Sequence, residues 1–183
     1  MWVRSEYAGE LAVLSAWLCA LLPWGVSYAG GIRLFRIHFI YAFLQFTPGL
    51  ALEGSTPYVS VWAARTFPQD EALAFGYRLW LLAAGVFSLA LALSVVYYVY
   101  DHRLEERAPV DPVRLMGVLL LASAVAFTAS TYFVLTRLPG WTIPVGVGFM
   151  YVFGALLLVV ERTEAEIDAA ETRTDRPEPS DVE

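Results

Sequence analysis

The stretch "GGIRLFRIHFIYAFLQFTPG", residues 30–49, decides how the chain is drawn. It is apolar enough to enter a membrane, yet it carries Arg33, Arg36, His38 and Gln45 and closes on Pro48-Gly49. As a helix it would have to begin after Arg36 and end by Leu52, roughly 16 residues with a Pro-Gly break inside, which is short for a bilayer span. As a strand it reads differently. Phe35, Ile37, Phe39, Tyr41 and Phe43 alternate onto one face, and Arg36 and His38 fall on the other. "PYVSVW" at 57–62 offers a second strand, and the "PGLALEGSTP" between them is rich in turn residues. The pattern favours an insert over 30–71, with its aromatic face buried and Arg36 and His38 turned outward. On that reading Phe39→Asp is destabilising and His38→Asp nearly silent. A fifth span through 32–52 remains the alternative.

The surrounding chain is strongly apolar. Of its 183 residues 58% are hydrophobic and 16% charged, with mean hydropathy +0.56, a balance that points away from an ordinary soluble domain. All twelve basic residues are arginine, and there is neither lysine nor asparagine, which excludes N-linked glycosylation. Residues 161–183 hold nine acids against three arginines, so the whole formal charge of −6 sits in this tail. Such usage is typical of salt-loving archaea, and a GC-rich genome gives a similar bias. The single cysteine, Cys19, permits no intramolecular disulfide.

Four long runs lack any charge: 11–28, 79–98, 115–135 and 141–160. About 20 apolar residues cross a ~30 Å hydrocarbon layer, so each is read as a span. Aromatics gather near their ends, as at Tyr77, Trp80, Tyr97, Tyr98, Tyr132 and Trp141. "SYA" at 27–29 resembles a signal-peptide cleavage site, but Glu6, Glu10 and Pro23-Trp24 argue against a leader. With four spans and the N-terminus inside, seven arginines are cytoplasmic and five are not; with five spans the balance is eight to four. Both arrangements place "DHRLEERAPVDPVR" and the acidic tail in the cytoplasm. The tail is expected to extend the last helix before fraying.

Small residues recur every fourth position on three spans: Ala12, Ala16 and Ala20; Ala84, Ser88 and Ala92; Ala122, Ala126 and Ser130. Such stripes let helices approach closely, although alanine-rich spans also produce them by chance. Ser123, Thr128 and Thr131 are ordinary candidates for bonding back to their own helix. Arg78 is the candidate interfacial charge at the outer end of the second span, placed to snorkel toward Asp70 or Glu71. Pro144, Gly146, Gly148 and Gly154 loosen the fourth span, but no inverted repeat accompanies them as in transporters. His102 lies near Asp101, Glu105 and Glu106, a grouping more typical of a solvated turn than of a metal site. No serine–histidine pair, phosphate loop or HExxH motif appears, so neither catalysis, a cofactor nor a metal is expected.

The arginine-only usage, the acidic tail, "WLCALLPW" at 17–24 and "FRIHFIYAF" at 35–43 together resemble the uncharacterised multi-span membrane proteins of haloarchaea, families of unknown function. The resemblance covers the whole chain and implies no activity and no site residue. The resulting expectation is an all-α integral membrane fold, a four-helix transmembrane bundle with a small aromatic extracytoplasmic insert. Its expected partners are the lipid bilayer and other membrane proteins or further copies of itself, not nucleic acid. The expected role is a non-catalytic accessory or scaffold subunit, with a small oligomeric transporter or channel as the alternative.

Overall fold

A computed structural model describes residues 2–3, 5–47, 57–64, 66, 71–107, 111–137, 140–159 and 161–162. Five helices are present: α1 (Ser5–Leu21), α2 (Val61–Ala64), α3 (Glu71–Arg107), α4 (Pro112–Arg137) and α5 (Val145–Val159). Seven strands accompany them: β1 (Trp2–Val3), β2 (Gly25–Ala29), β3 (Leu34–His38), β4 (Ala42–Phe46), β5 (Tyr58–Ser60), β6 (Trp141–Ile143) and β7 (Glu161–Arg162). Five of these form one antiparallel sheet in the order β5-β4-β3-β2-β6, and β1 and β7 make a separate parallel pair.

The four-helix all-α bundle is therefore not the fold. The run 11–28 stops being helical at Leu21, and the run 141–160 begins as a strand. Pro23 has no N–H to continue the helical ladder. Beyond it, Val26, Tyr28, Trp141, Thr142 and Ile143 are all good strand formers. The two segments pair with each other, Val26 with Ile143 and Tyr28 with Trp141, so each supplies the backbone partners that leaving the helix costs the other. The junctions cross closely, because the Gly146 amide donates to Trp24 O at 3.2 Å and a side chain at Gly146 would collide with the Pro23 carbonyl.

Two helices remain long and apolar enough to cross a membrane, 71–100 within α3 and α4. At 1.5 Å per residue they reach about 45 and about 39 Å, whereas α1 and α5 reach only about 26 and about 22 Å. Asp111 starts α4 by accepting from the Val113 amide at 2.9 Å, with Pro112 at the first helical position. The helix α3 runs on through the expected charged loop to Arg107, broken only by the non-helical backbone of Tyr100. After α5 the chain pairs as β7 instead of extending the helix, and the tail beyond 162 lies outside the described residues.

The single strand expected from Phe35 to Phe43 is a hairpin. His38 pairs with Phe43 and Phe35 with Phe46, so the chain reverses across 39–42. Its tip reaches α3. The Trp24 indole donates to Phe39 O at 3.1 Å and the Trp80 indole to Ile40 O at 2.8 Å. Tyr41 donates to Ala84 O at 3.2 Å and also bonds Ser88. Turn carbonyls that would otherwise be stranded among apolar side chains are thus satisfied. Trp24, Trp80, Phe127 and Phe43 form the buried junction between sheet and helices, with Trp24 stacked on Phe127 at 5.1 Å and edge-on to Trp80 at 4.8 Å.

Candidate functional site

Cross-strand partners share a face, so register assigns every side chain of the sheet. Thr142 pairs with Ser27, Ser27 with Arg36, and Arg36 with Gln45, which places a polar row across four strands. His38 joins the same face two residues beyond Arg36. This face points inward. His38 is only 3% exposed, and Phe43 and Val59 beside it are buried. The opposite face carries Tyr28, Phe46, Tyr58, Trp141 and Ile143, all exposed. Polarity is therefore reversed from the expectation: Arg36 and His38 look toward the helices, and aromatic residues look out. His38→Asp would bury a carboxylate and is not a silent change.

His38 sits among the rings of Trp24, Phe43 and Trp80 at 5.1, 5.6 and 5.4 Å. Its Nε2 lies 2.7 Å from Ser27 Oγ, which lies 2.7 Å from Thr142 Oγ1. Its Nδ1 is buried with no partner among the described residues. Burial pushes the imidazole down to about 3 from 6.5, and the nearby Arg36 guanidinium adds to the effect. The ring is neutral at any ordinary pH.

Arg36 is half-buried. Its guanidinium lies over the Phe43 ring at 5.5 Å, a cation–π contact, and its Nε is buried without an acceptor among the described residues. Burial lowers its pKa from the ordinary arginine value, and Tyr77 opposes that shift. Arginine nevertheless stays charged in proteins. A shallow cleft opens beside this row, lined by Ser27, Leu34, Arg36, Gly140, Trp141 and Thr142. Gly140 takes φ +112 where its backbone crosses Tyr28 O, a conformation and an approach that exclude a side chain.

The residues singled out from sequence spacing lie elsewhere. Ala12, Ala16, Ala84 and Ser130 are buried; Ala20, Ser88 and Ala126 are half-buried; Ala92 and Ala122 are exposed. Ser130 donates to Gly76 O at 2.9 Å and Ser123 to Ala83 O at 3.0 Å, so both tie α4 to α3. Thr128 and Thr131 bond back to Ala124 O and Phe127 O, each at 2.8 Å. Arg78 is exposed on the first turns of α3, apart from the cleft. Among the described residues no cluster of three metal-ligating side chains occurs.

Two features escaped the sequence reading. Gly117 and Gly154 meet where α4 crosses α5, because a Cβ on Gly117 would come within 3.0 Å of Gly154 O. Spacing along one helix does not reveal a contact between glycines on two. The polar row Thr142–Ser27–Arg36–Gln45 was hidden because half of it lies in segments read as helices. No curated protein shows significant similarity to the chain. Residues 1–162 match the family of unknown function DUF7549, and the chain belongs to that family.

Proposed function

We propose that the chain is an integral membrane protein acting as a non-catalytic accessory or scaffold subunit. In this reading α3 and α4 cross the bilayer, α1 and α5 pack beside them, and the sheet lies toward the outer side with its hairpin tip packed against α3 at Trp80, Ala84 and Ser88. The helices' outward surfaces support a lipid environment: Leu82 is 58%, Leu89 60% and Val125 59% exposed, far too apolar a surface for water. Arg103, Arg107 and Arg114 at the α3–α4 connection favour a cytoplasmic position for that end, and for both chain termini with it.

One observation carries the scaffold role. Two buried hydroxyls hold helices together, Ser123 on Ala83 O and Ser130 on Gly76 O, while Ser94 and Thr131 bond back to their own helices. Around them Phe87, Met116, Leu120, Ala124 and Phe127 fill the interior. Ions and polar solutes need groups that replace their hydration, and this interior offers packing instead.

The arginine-only, acid-rich composition supports a haloarchaeal setting, so the test is run in molar KCl. Reconstituted in sealed vesicles, the protein should leave proton, chloride and phosphate permeability at the level of empty vesicles. Cross-linking in native membranes should join it to a second chain, its own or another. Saturable solute flux that disappears in Arg36→Gln would replace the scaffold with a transporter.

A further inference from the structure

We propose that the cleft beside Ser27, Arg36, Gly140 and Thr142 binds a phosphate-type oxyanion, carried by a lipid headgroup or free in solution. Three observations converge on it. Arg36 is a half-buried cation with no ion pair and no hydrogen bond among the described residues, and none of the residues lining the cleft is acidic. The Phe43 ring meets one face of the guanidinium, and its buried Nε–H lacks an acceptor among the described residues. A half-buried charge without a counter-ion bears part of the cost of desolvation, and a bound anion offsets it.

One hydroxyl beside it is left to donate. His38 is neutral, so one ring nitrogen carries a proton and the other does not. A buried N–H without a partner is rarer than a bare acceptor, which places the proton on Nε2 and leaves Nδ1 bare. Nε2–H then donates to Ser27 Oγ, and the Ser27 hydroxyl donates to Thr142 Oγ1. That leaves the Thr142 hydroxyl hydrogen free at the cleft wall. Arginine and hydroxyl donors together match the oxygens of a phosphate.

The surroundings fit a headgroup. Tyr28 and Trp141, paired at 5.9 Å, lie exposed on the opposite face of the strands that line the cleft, and Tyr and Trp concentrate at membrane interfaces. The lipid source rests on the membrane reading above; the free-anion source does not.

The full-length, delipidated protein in detergent is titrated with inorganic phosphate, followed by ³¹P line broadening. In parallel it is placed in nanodiscs of phosphatidylglycerol or of a phosphate-free galactolipid, and lipid retention is measured. Binding in at least one arm is expected, with Arg36→Gln weakening it about tenfold or more and Thr142→Val severalfold. Phosphate binding without preference for phosphatidylglycerol assigns the site to a free anion and separates it from the membrane reading. The fold of each variant is checked by near-UV circular dichroism, and Thr142→Val carries the comparison if Arg36→Gln unfolds. The ¹⁵N shifts of His38 should show Nε2 protonated. No binding in either arm, or binding unchanged by both substitutions, overturns the proposal.

Discussion

At the scale of single residues, His38 shows how the sheet is oriented. Alternation separates Arg36 and His38 from Phe35 and Ile37, but the reversal at 39–42 puts Phe43 on the face of His38, and alternation does not say which face meets solvent. The assignment of polar to outside is a rule for proteins in water. Here the inward face holds the imidazole among Trp24, Phe43 and Trp80, and the outward face holds Tyr28, Phe46 and Trp141. The pH dependence follows. The folded ring titrates near 3 and the unfolded one near 6.5, so the unfolded chain takes up the proton first. The contribution of neutral His38 to stability is complete above pH 6.5 and is lost progressively as pH falls toward 3. A single such group can add a slope of up to about 1.4 kcal/mol per pH unit. Denaturant unfolding between pH 7 and 5 should therefore show a shallower loss of stability in His38→Gln than in the wild type. The substitution also removes ring contacts, so the slope is the readout, not the absolute stability. Equal slopes would contradict a neutral, buried His38.

At the scale of elements, length and apolarity identified α3 and α4, the two helices whose stability needs no partner strand. The same criteria failed for 11–28 and 141–160, because β2 and β6 form only by pairing with each other across more than a hundred residues. Pro23 was legible as a break in the helix, but its consequence was not, since a kinked span and a helix-to-strand change begin with the same residue. The stretch 57–62 yields β5 over Tyr58–Ser60 and then α2, and the turn sequence 48–56 lies outside the described residues. Helix pairing rests as much on glycine as on the alanine stripes. Gly154 faces Leu121 and the Gly117 carbonyl so closely that a Cβ would come within 2.7 Å of Leu121 Cγ. Gly154→Val should separate α4 from α5 and cost about 1–3 kcal/mol through overpacking, measured as an earlier SDS-induced unfolding transition. Gly148, where a Cβ would meet nothing within 4 Å, serves as the control, and Gly148→Ala should leave the transition unmoved. A Gly154→Val protein as stable as the control would remove close glycine packing from the account.

At the scale of the whole molecule, the long helices and the sheet place opposite ends in different surroundings. Arg33 lies in the turn before β3, and Arg137 ends α4 at the same end of the molecule, where the sheet packs. Asp111 begins α4 at the other end, some 39 Å away along about 26 residues of helix. In the proposed membrane reading the bilayer lies between them, at the level of the exposed Leu82, Leu89 and Val125. The measurement that bears most directly on this is labelling of single cysteines in intact cells by an impermeant thiol reagent, in a Cys19→Ser background. Cysteines at Arg33 and Arg137 should be labelled from outside, and a cysteine at Asp111 only after the cells are opened. Labelling of all three in intact cells, or of Asp111 together with only one of the others, would contradict a chain that crosses the membrane through α3 and α4.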